Sequence, residues 1–367
     1  MNMNSQNCMI KTLAMSTEKQ KMNRAIITLT KGGMELGLKL LNEYEDSILY
    51  INKRFNADNE RVKKINNGIG ELVTSIFDKY KCLVFIMATG IVVRAIAPHI
   101  QSKDKDPAVI VMDEKGKNVI SLLSGHLGGA NDITIDIAEK LNSNPVITTA
   151  SDVNNTLAVD TLAVKLGCRF ENLTDATKVT SHIVNGEKVG ILSKYNHSIK
   201  LPHNLTILKG IEDFKGFKGI INITNEKKMT KFKVDTVVLR PRNIIIGIGC
   251  RRDKPEEEII TAIIDALDRV NKSPLSIKHI ATIDVKRSEK GIIDAANYYG
   301  VPLRIIDSEK VKGVEKSFET SNFVRNSIGV GAVAEPVAIL SSDKGSLILK
   351  KTKYNGITIA IVEEGEV

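Results

Sequence analysis

Tryptophan is absent from the 367 residues, and seven tyrosines and nine phenylalanines bring the aromatic content to only 4%. The lysines are scattered, with no basic stripe interleaved with aromatics, so the chain lacks the surface on which nucleic acid stacks, and nucleic acid is not expected as a partner. No apolar run reaches membrane-spanning length, so a membrane is not expected either. The four cysteines, Cys8, Cys82, Cys168 and Cys250, stand far apart with no C-x-x-C or Cys/His spacing. That excludes a zinc-finger pattern, argues for reduced thiols in a cytoplasmic protein, and leaves no metal to be held by the chain itself. Residues 1–22 are polar and Met-rich and lack a signal-peptide core. They are expected to be a disordered leader, with Met15 or Met22 as alternative starts.

What is present is ordinary globular material: 42% hydrophobic residues, 26% charged, and a mean hydropathy of −0.07. The length suits two or three domains with cores of their own. A net charge of +9 and a pI near 9.1 favour an acidic partner, whether nucleic acid, anionic lipid or a polycarboxylate.

Hydrophobic patterning predicts strands at Ala25–Leu29, Leu83–Ala88, Val109–Met112, Val119–Leu123 and Pro145–Thr149. Helices are expected at Met34–Asn42 and Ile91–Ala97, with Lys31-Gly32-Gly33 a turn and Thr89-Gly90 a break. Asp113–Gly116 reads as a hairpin or a surface loop. Beyond Ser151 the pattern weakens to helices at Leu157–Leu166 and Thr174–Asn185 with short strands. It strengthens again at Asn243, with strands at Ile244–Ile246, Ile277–Thr282 and Val301–Ile306 and a helix at Glu289–Tyr299. The chain closes on a hairpin through Tyr354-Asn355-Gly356, expected to be type I′. The expected fold is α/β: two Rossmann-like lobes, residues 23–150 and 243–367, with a small middle domain at 151–242.

Three glycine-bearing stretches carry the candidate chemistry. Ser124-Gly125-His126-Leu127-Gly128-Gly129-Ala130-Asn131 joins a strand to a helix. Its glycines let backbone approach a ligand, its N–H groups suit a developing oxyanion, and Asn131 is a candidate helix cap. The plain alternative is a tight connection whose glycines serve packing alone. In Gly247-Ile248-Gly249-Cys250-Arg251-Arg252-Asp253 a third glycine is missing, which argues against a dinucleotide site. The adjacent arginines there suit bidentate contact with carboxylates, or else simply face solvent. Glu335, in Gly331-Ala332-Val333-Ala334-Glu335-Pro336, is a candidate acid or base, a partner for Arg251, or an ordinary first-turn helix residue.

Together with Ala281-Thr282-Ile283-Asp284-Val285-Lys286, these stretches resemble the cobalt-precorrin-5A hydrolase family, CbiG. The resemblance runs from about Asn23 to the C-terminus. It implies an enzyme of anaerobic cobalamin synthesis that opens a δ-lactone on a cobalt-bearing corrinoid and releases acetaldehyde. The cobalt is carried by the substrate, no cofactor is expected, and other enzymes of the pathway are conceivable partners. On chemical grounds His126 is the candidate base, because imidazole titrates near neutral pH, and Glu335 the second proton carrier. The Gly128 and Gly129 N–H groups are the candidate oxyanion donors. Substrate contacts are expected from Ser124, Gly125, Gly128, Gly129, Asn131, Gly249, Cys250, Arg251 and Asp284. A non-catalytic corrinoid carrier, and a methyltransferase or nucleotide-dependent enzyme, are the competing functions.

Overall fold

The structure is a computed structural model that describes residues 22–150, 156–195, 201–210 and 216–365. The expected leader and the junction at 151–155 lie almost wholly outside these residues. The chain divides into two compact units, one ending at Thr156 and one running from Leu157 onward.

The first unit is built on a seven-stranded sheet. In chain order its elements are β1 (Met22–Thr28), α1 (Lys31–Glu43), β2 (Ser47–Asn52), β3 (Val62–Ile65), α2 (Ile69–Ile76), β4 (Tyr80–Ile86), α3 (Thr89–Ile96), β5 (Ala108–Met112), β6 (Asn118–Leu123), α4 (Ala130–Leu141) and β7 (Asn144–Val146). The strand order is β3-β2-β1-β4-β5-β6-β7. Strands β1 to β5 are parallel, as continuous apolar runs such as Leu83-Val84-Phe85-Ile86 require when both faces are covered. Ile26 and Val84 pack on one face with Leu40 and Ile137, while Ile27 and Phe85 pack on the other with Val73 and Val92. Strand β6 runs antiparallel to β5, with Val109 opposite Leu123, so Asp113–Gly116 is a hairpin. Strand β7 follows β6 in parallel.

Several local expectations are corrected. Lys31-Gly32-Gly33 is the first turn of α1, because Thr30 Oγ1 accepts the Gly33 N–H at 3.1 Å and caps it. Thr89 and Gly90 likewise open α3 instead of breaking it. Strand β7 stops at Val146: it is an edge strand in which Pro145 offers no N–H.

The second unit carries two five-stranded sheets. The first is formed by β8 (Cys168–Phe170), β9 (Val189–Ser193), β10 (Leu205–Leu208), β11 (Gly219–Ile223) and β12 (Asp235–Pro241), in the order β10-β9-β11-β12-β8, with helices α5 (Val159–Lys165) and α6 (Leu173–Val184). The second contains β13 (Ile244–Cys250), α7 (Glu256–Arg269), β14 (Ile277–Ile283), α8 (Lys290–Tyr299), β15 (Leu303–Ile306), α9 (Ser308–Val314), α10 (Asn322–Ile328), α11 (Ala334–Ser341), β16 (Ser346–Tyr354) and β17 (Ile357–Glu363), in the order β15-β14-β13-β17-β16. Of the closing turn, only Gly356 is left-handed (φ +71°), so the hairpin is not type I′.

A buried polar network joins these two sheets. Lys272 Nζ reaches Glu363 Oε2 at 2.6 Å and Asn225 Oδ1 at 2.9 Å, and Asn225 Nδ2 reaches Asn243 Oδ1 at 3.0 Å. Burial pulls the Lys272 ammonium below the usual lysine range even with Glu363 beside it. Among the described residues no helix is long and apolar enough to cross a membrane.

Candidate functional site

In the first unit the glycine-rich turn leaves the end of β6. Ser124 adopts a left-handed φ of +59°, uncommon for a residue with a Cβ, and its Oγ is buried without a partner among the described residues. The turn then winds back on its own backbone. Gly129 N–H donates to His126 O at 3.1 Å, Ala130 N–H to Ser124 O at 3.2 Å, and Asn131 N–H to Gly125 O at 3.0 Å. The expectation that Gly129 offers a free oxyanion donor is therefore corrected, and the N–H of Gly128 lies outside this set.

Asn131 is corrected as well. The cap position of α4 is Gly129, at φ +78°, and Asn131 is the second residue of the helix. Its buried side chain accepts from Ser121 Oγ at 2.6 Å and donates to Thr149 Oγ1 at 3.2 Å, bracing the helix against the strand before it. A Cβ on Gly125 would lie 2.7 Å from Asn131 Oδ1, and one on Gly128 would lie 2.5 Å from Ser124 Cβ. These two glycines serve close packing, the plain alternative, whereas Gly129 faces open space and owes its identity to its backbone angle. His126 is half-buried.

The reversal of β6 decides where this turn lies. It sits at the amino ends of β1, β4 and β5, where a Cβ on Gly128 would lie 3.2 Å from Ala108 N. An open sheet of this strand order places its usual ligand crevice at the opposite edge, outside the carboxyl ends of β1 and β4, where Thr30 and Thr89 begin their helices.

In the second unit, the carboxyl ends of β13 and β14 and the start of α11 come to one edge. Gly249 packs against α11, because a Cβ there would lie 3.3 Å from Val333 Cβ. Cys250 is half-buried, and burial pushes its thiol up to about 11, against the pull of the Lys286 ammonium, so it is no ready nucleophile. Arg251 and Arg252 are exposed. Asp284 Oδ2 accepts Ser308 N–H and Oγ, each at 3.1 Å, and Oδ1 accepts Val285 N–H at 2.7 Å. Desolvation raises its carboxyl, but these bonds outweigh it and leave the group below the usual range. Asp284 Oδ2 thus braces the start of α9, while Oδ1 closes on the neighbouring Val285 N–H.

Glu335 is buried in the first turn of α11. Its Oε1 accepts Lys351 N–H at 3.0 Å, and its Oε2 is buried without a partner among the described residues. It makes no ion pair with Arg251. Sequence reasoning gave two residues here no site role: Lys286 and Glu289 form a 2.8 Å ion pair, and Glu289 Oε1 holds the Asp253 N–H at 2.6 Å. Their spacing of three looks like any solvated helix pair. Only burial marks them, at 11% and 9% exposed. No group of three or more His, Cys, Asp or Glu among the described residues could hold a metal ion.

Comparison with known proteins matches most of the sequence. Residues 71–152 match the family described as Cobalamin synthesis G N-terminal, 157–241 the Cobalamin biosynthesis central region, and 244–362 the Cobalamin synthesis G C-terminus. A cobalt-precorrin-5A hydrolase of Priestia megaterium is 33% identical over 93% of this chain and 95% of its own. One from Salmonella typhimurium is 35% identical over 92% of this chain and 96% of its own. The crystal structure of a cobalamin biosynthesis protein G homologue from Sulfolobus solfataricus has 26% identity and a TM-score of 0.39, covering 93% of this chain and 97% of that one. With all three regions matched in order and relatives above 30% identity along nearly the full length, the chain belongs to the CbiG family of cobalt-precorrin-5A hydrolases.

Proposed function

We propose that the chain opens the δ-lactone of cobalt-precorrin-5A and releases acetaldehyde, giving cobalt-precorrin-5B. The observation that carries this reading is its likeness, over 93% of its length, to a relative of that activity. The substrate brings its own cobalt, and no further cofactor is required. A flat macrocycle edged with acetate and propionate carboxylates suits a chain of net charge +9 that displays two adjacent arginines. Its scattered cysteines fit a cytoplasmic setting.

The chemistry balances as a hydrolysis. Water adds to the lactone carbonyl and the acyl–oxygen bond breaks, leaving a carboxylate on the ring and an alcohol on the two-carbon unit. As that alcohol loses its proton, its oxygen closes to a carbonyl and the carbon–carbon bond to the ring breaks. The electron pair enters the conjugated macrocycle, which takes up a proton. In this scheme His126 activates the water and the Gly128 N–H steadies the oxyanion.

The test is acetaldehyde release from cobalt-precorrin-5A by the wild type and by His126→Ala. Loss of a general base is expected to slow release by roughly 10²–10⁴-fold. Unchanged turnover removes His126 from the mechanism, and tight corrinoid binding by the wild type with no acetaldehyde identifies a carrier instead.

A further inference from the structure

The segment Arg251–Lys254 is held from three sides. Arg251 N–H donates to Gly356 O, in the closing hairpin, at 2.8 Å. Asp253 N–H donates to Glu289 Oε1 at 2.6 Å, and Asp253 itself is left-handed, at φ +58°. On the third side, Gly291 in α8 lies so close that a Cβ would strike the Lys254 carbonyl oxygen. Glu289 is steadied in turn by Lys286, whose Nζ reaches its Oε2 at 2.8 Å, and both side chains are nearly buried.

What this framework displays is a pair of exposed guanidiniums, Arg251 and Arg252, and among the described residues neither has a carboxylate partner. Ordering a surface loop on binding costs conformational entropy, which a loop already fixed does not lose again. A left-handed aspartate costs free energy as well, and its bond to Glu289 offsets that cost.

We infer that Glu289 is a positioning residue that, backed by Lys286, sets Arg251 and Arg252 as a preformed clamp for the acetate and propionate carboxylates of a corrinoid. The inference rests on the substrate class proposed above. Glu289 touches no substrate. It acts through the Asp253 N–H, and its effect belongs to recognition of carboxylates.

The experiment is calorimetric titration with two stable probes: cobyrinic acid, whose side-chain carboxylates are free, and cobinamide, in which they are amides. The proteins are the wild type, Glu289→Gln, the double variant Arg251→Gln/Arg252→Gln, and the triple combination. A hydrogen bond to a charged group contributes about 1.5–3 kcal/mol against about 0.5–1.5 kcal/mol for a neutral one, so Glu289→Gln, which keeps only a neutral acceptor for the Asp253 N–H, should weaken cobyrinic acid binding about five- to tenfold and leave cobinamide within about twofold. In the double-arginine background the same substitution should add little, since its effect passes through those side chains. Equal weakening of both probes, additive losses, or no binding of cobyrinic acid by the wild type would each overturn the clamp. Should Glu289→Gln not fold, Glu289→Asp draws the carboxylate back by one methylene and carries the same comparison. Acetaldehyde release from cobalt-precorrin-5A is measured in parallel: a wild type that binds cobyrinic acid yet releases no acetaldehyde from cobalt-precorrin-5A sinks the hydrolase reading, while the titrations decide the clamp.

Discussion

Ser124 and Glu335 hold arrangements that a stable protein has no structural reason to keep. A left-handed residue with a Cβ carries strain on the order of 1 kcal/mol, and Ser124 also buries an unpaired hydroxyl. Ser124→Gly should therefore raise the urea midpoint of unfolding, by about 0.5–1 kcal/mol in free energy once glycine's own flexibility is counted. A lower midpoint would show that the backbone there is relaxed. Glu335→Gln keeps an acceptor for Lys351 N–H and nearly the same side-chain volume, so the fold should hold. If Glu335 carries a proton, release of acetaldehyde falls by roughly 10²–10⁴-fold; a rate equal to wild type would dismiss it from the chemistry. His126, Arg251 and Glu335 stand out in the sequence as candidates because glycines lie near them. Their hydrogen-bond partners do not, since Lys351 approaches Glu335 from a distant strand and Gly356 meets Arg251 across a hairpin.

Among the elements, α6 and β12 are joined by a titratable bridge. His182 Nε2 lies 2.9 Å from Asp235 Oδ2, and Nδ1 is bonded to Glu187. Asp235 first, then Glu187, raises the imidazole above its ordinary value of 6.5. Because the folded value is the higher one, the bridge contributes fully below 6.5 and its contribution is lost as pH rises through the folded value. The melting temperature of wild type should exceed that of His182→Gln at about pH 5.5, and the gap should close by about pH 9. A gap independent of pH would assign His182 a packing role alone. The strands that sequence reasoning found are the long apolar ones, such as Leu83–Ile86. It missed Ser47–Asn52 and Val62–Ile65, which lie between polar stretches and draw their burial from neighbours. It also left Asp113–Gly116 open between hairpin and loop, and that choice alone sets the direction of β6.

Across the molecule, the polar network around Lys272 has the broadest consequence for stability. Its ion pair to Glu363 and its bond to Asn225 tie the two sheets of residues 157–367 together. Removing one partner of a buried pair costs about 3–5 kcal/mol, and Lys194, 3.5 Å from Glu363, softens the loss toward the lower figure. Lys272→Met should thus lower the melting temperature by about 6–12 °C, given about 2–4 °C per kcal/mol for a unit of this size. A shift of a degree or less would mean that apolar packing alone joins the sheets. Nothing in composition or periodicity announces such a network, because Asn225, Lys272 and Glu363 are far apart in the chain and each looks solvent-facing on its own.

The backward course of β6 puts the glycine-rich turn and the helix starts at Thr30 and Thr89 on opposite rims of the first sheet. Strand β5 has five residues between them, a span of about 17 Å at roughly 3.3 Å per residue. A molecule resting against His126 is thus out of reach of Thr30 and Thr89 unless it stretches the full depth of the sheet.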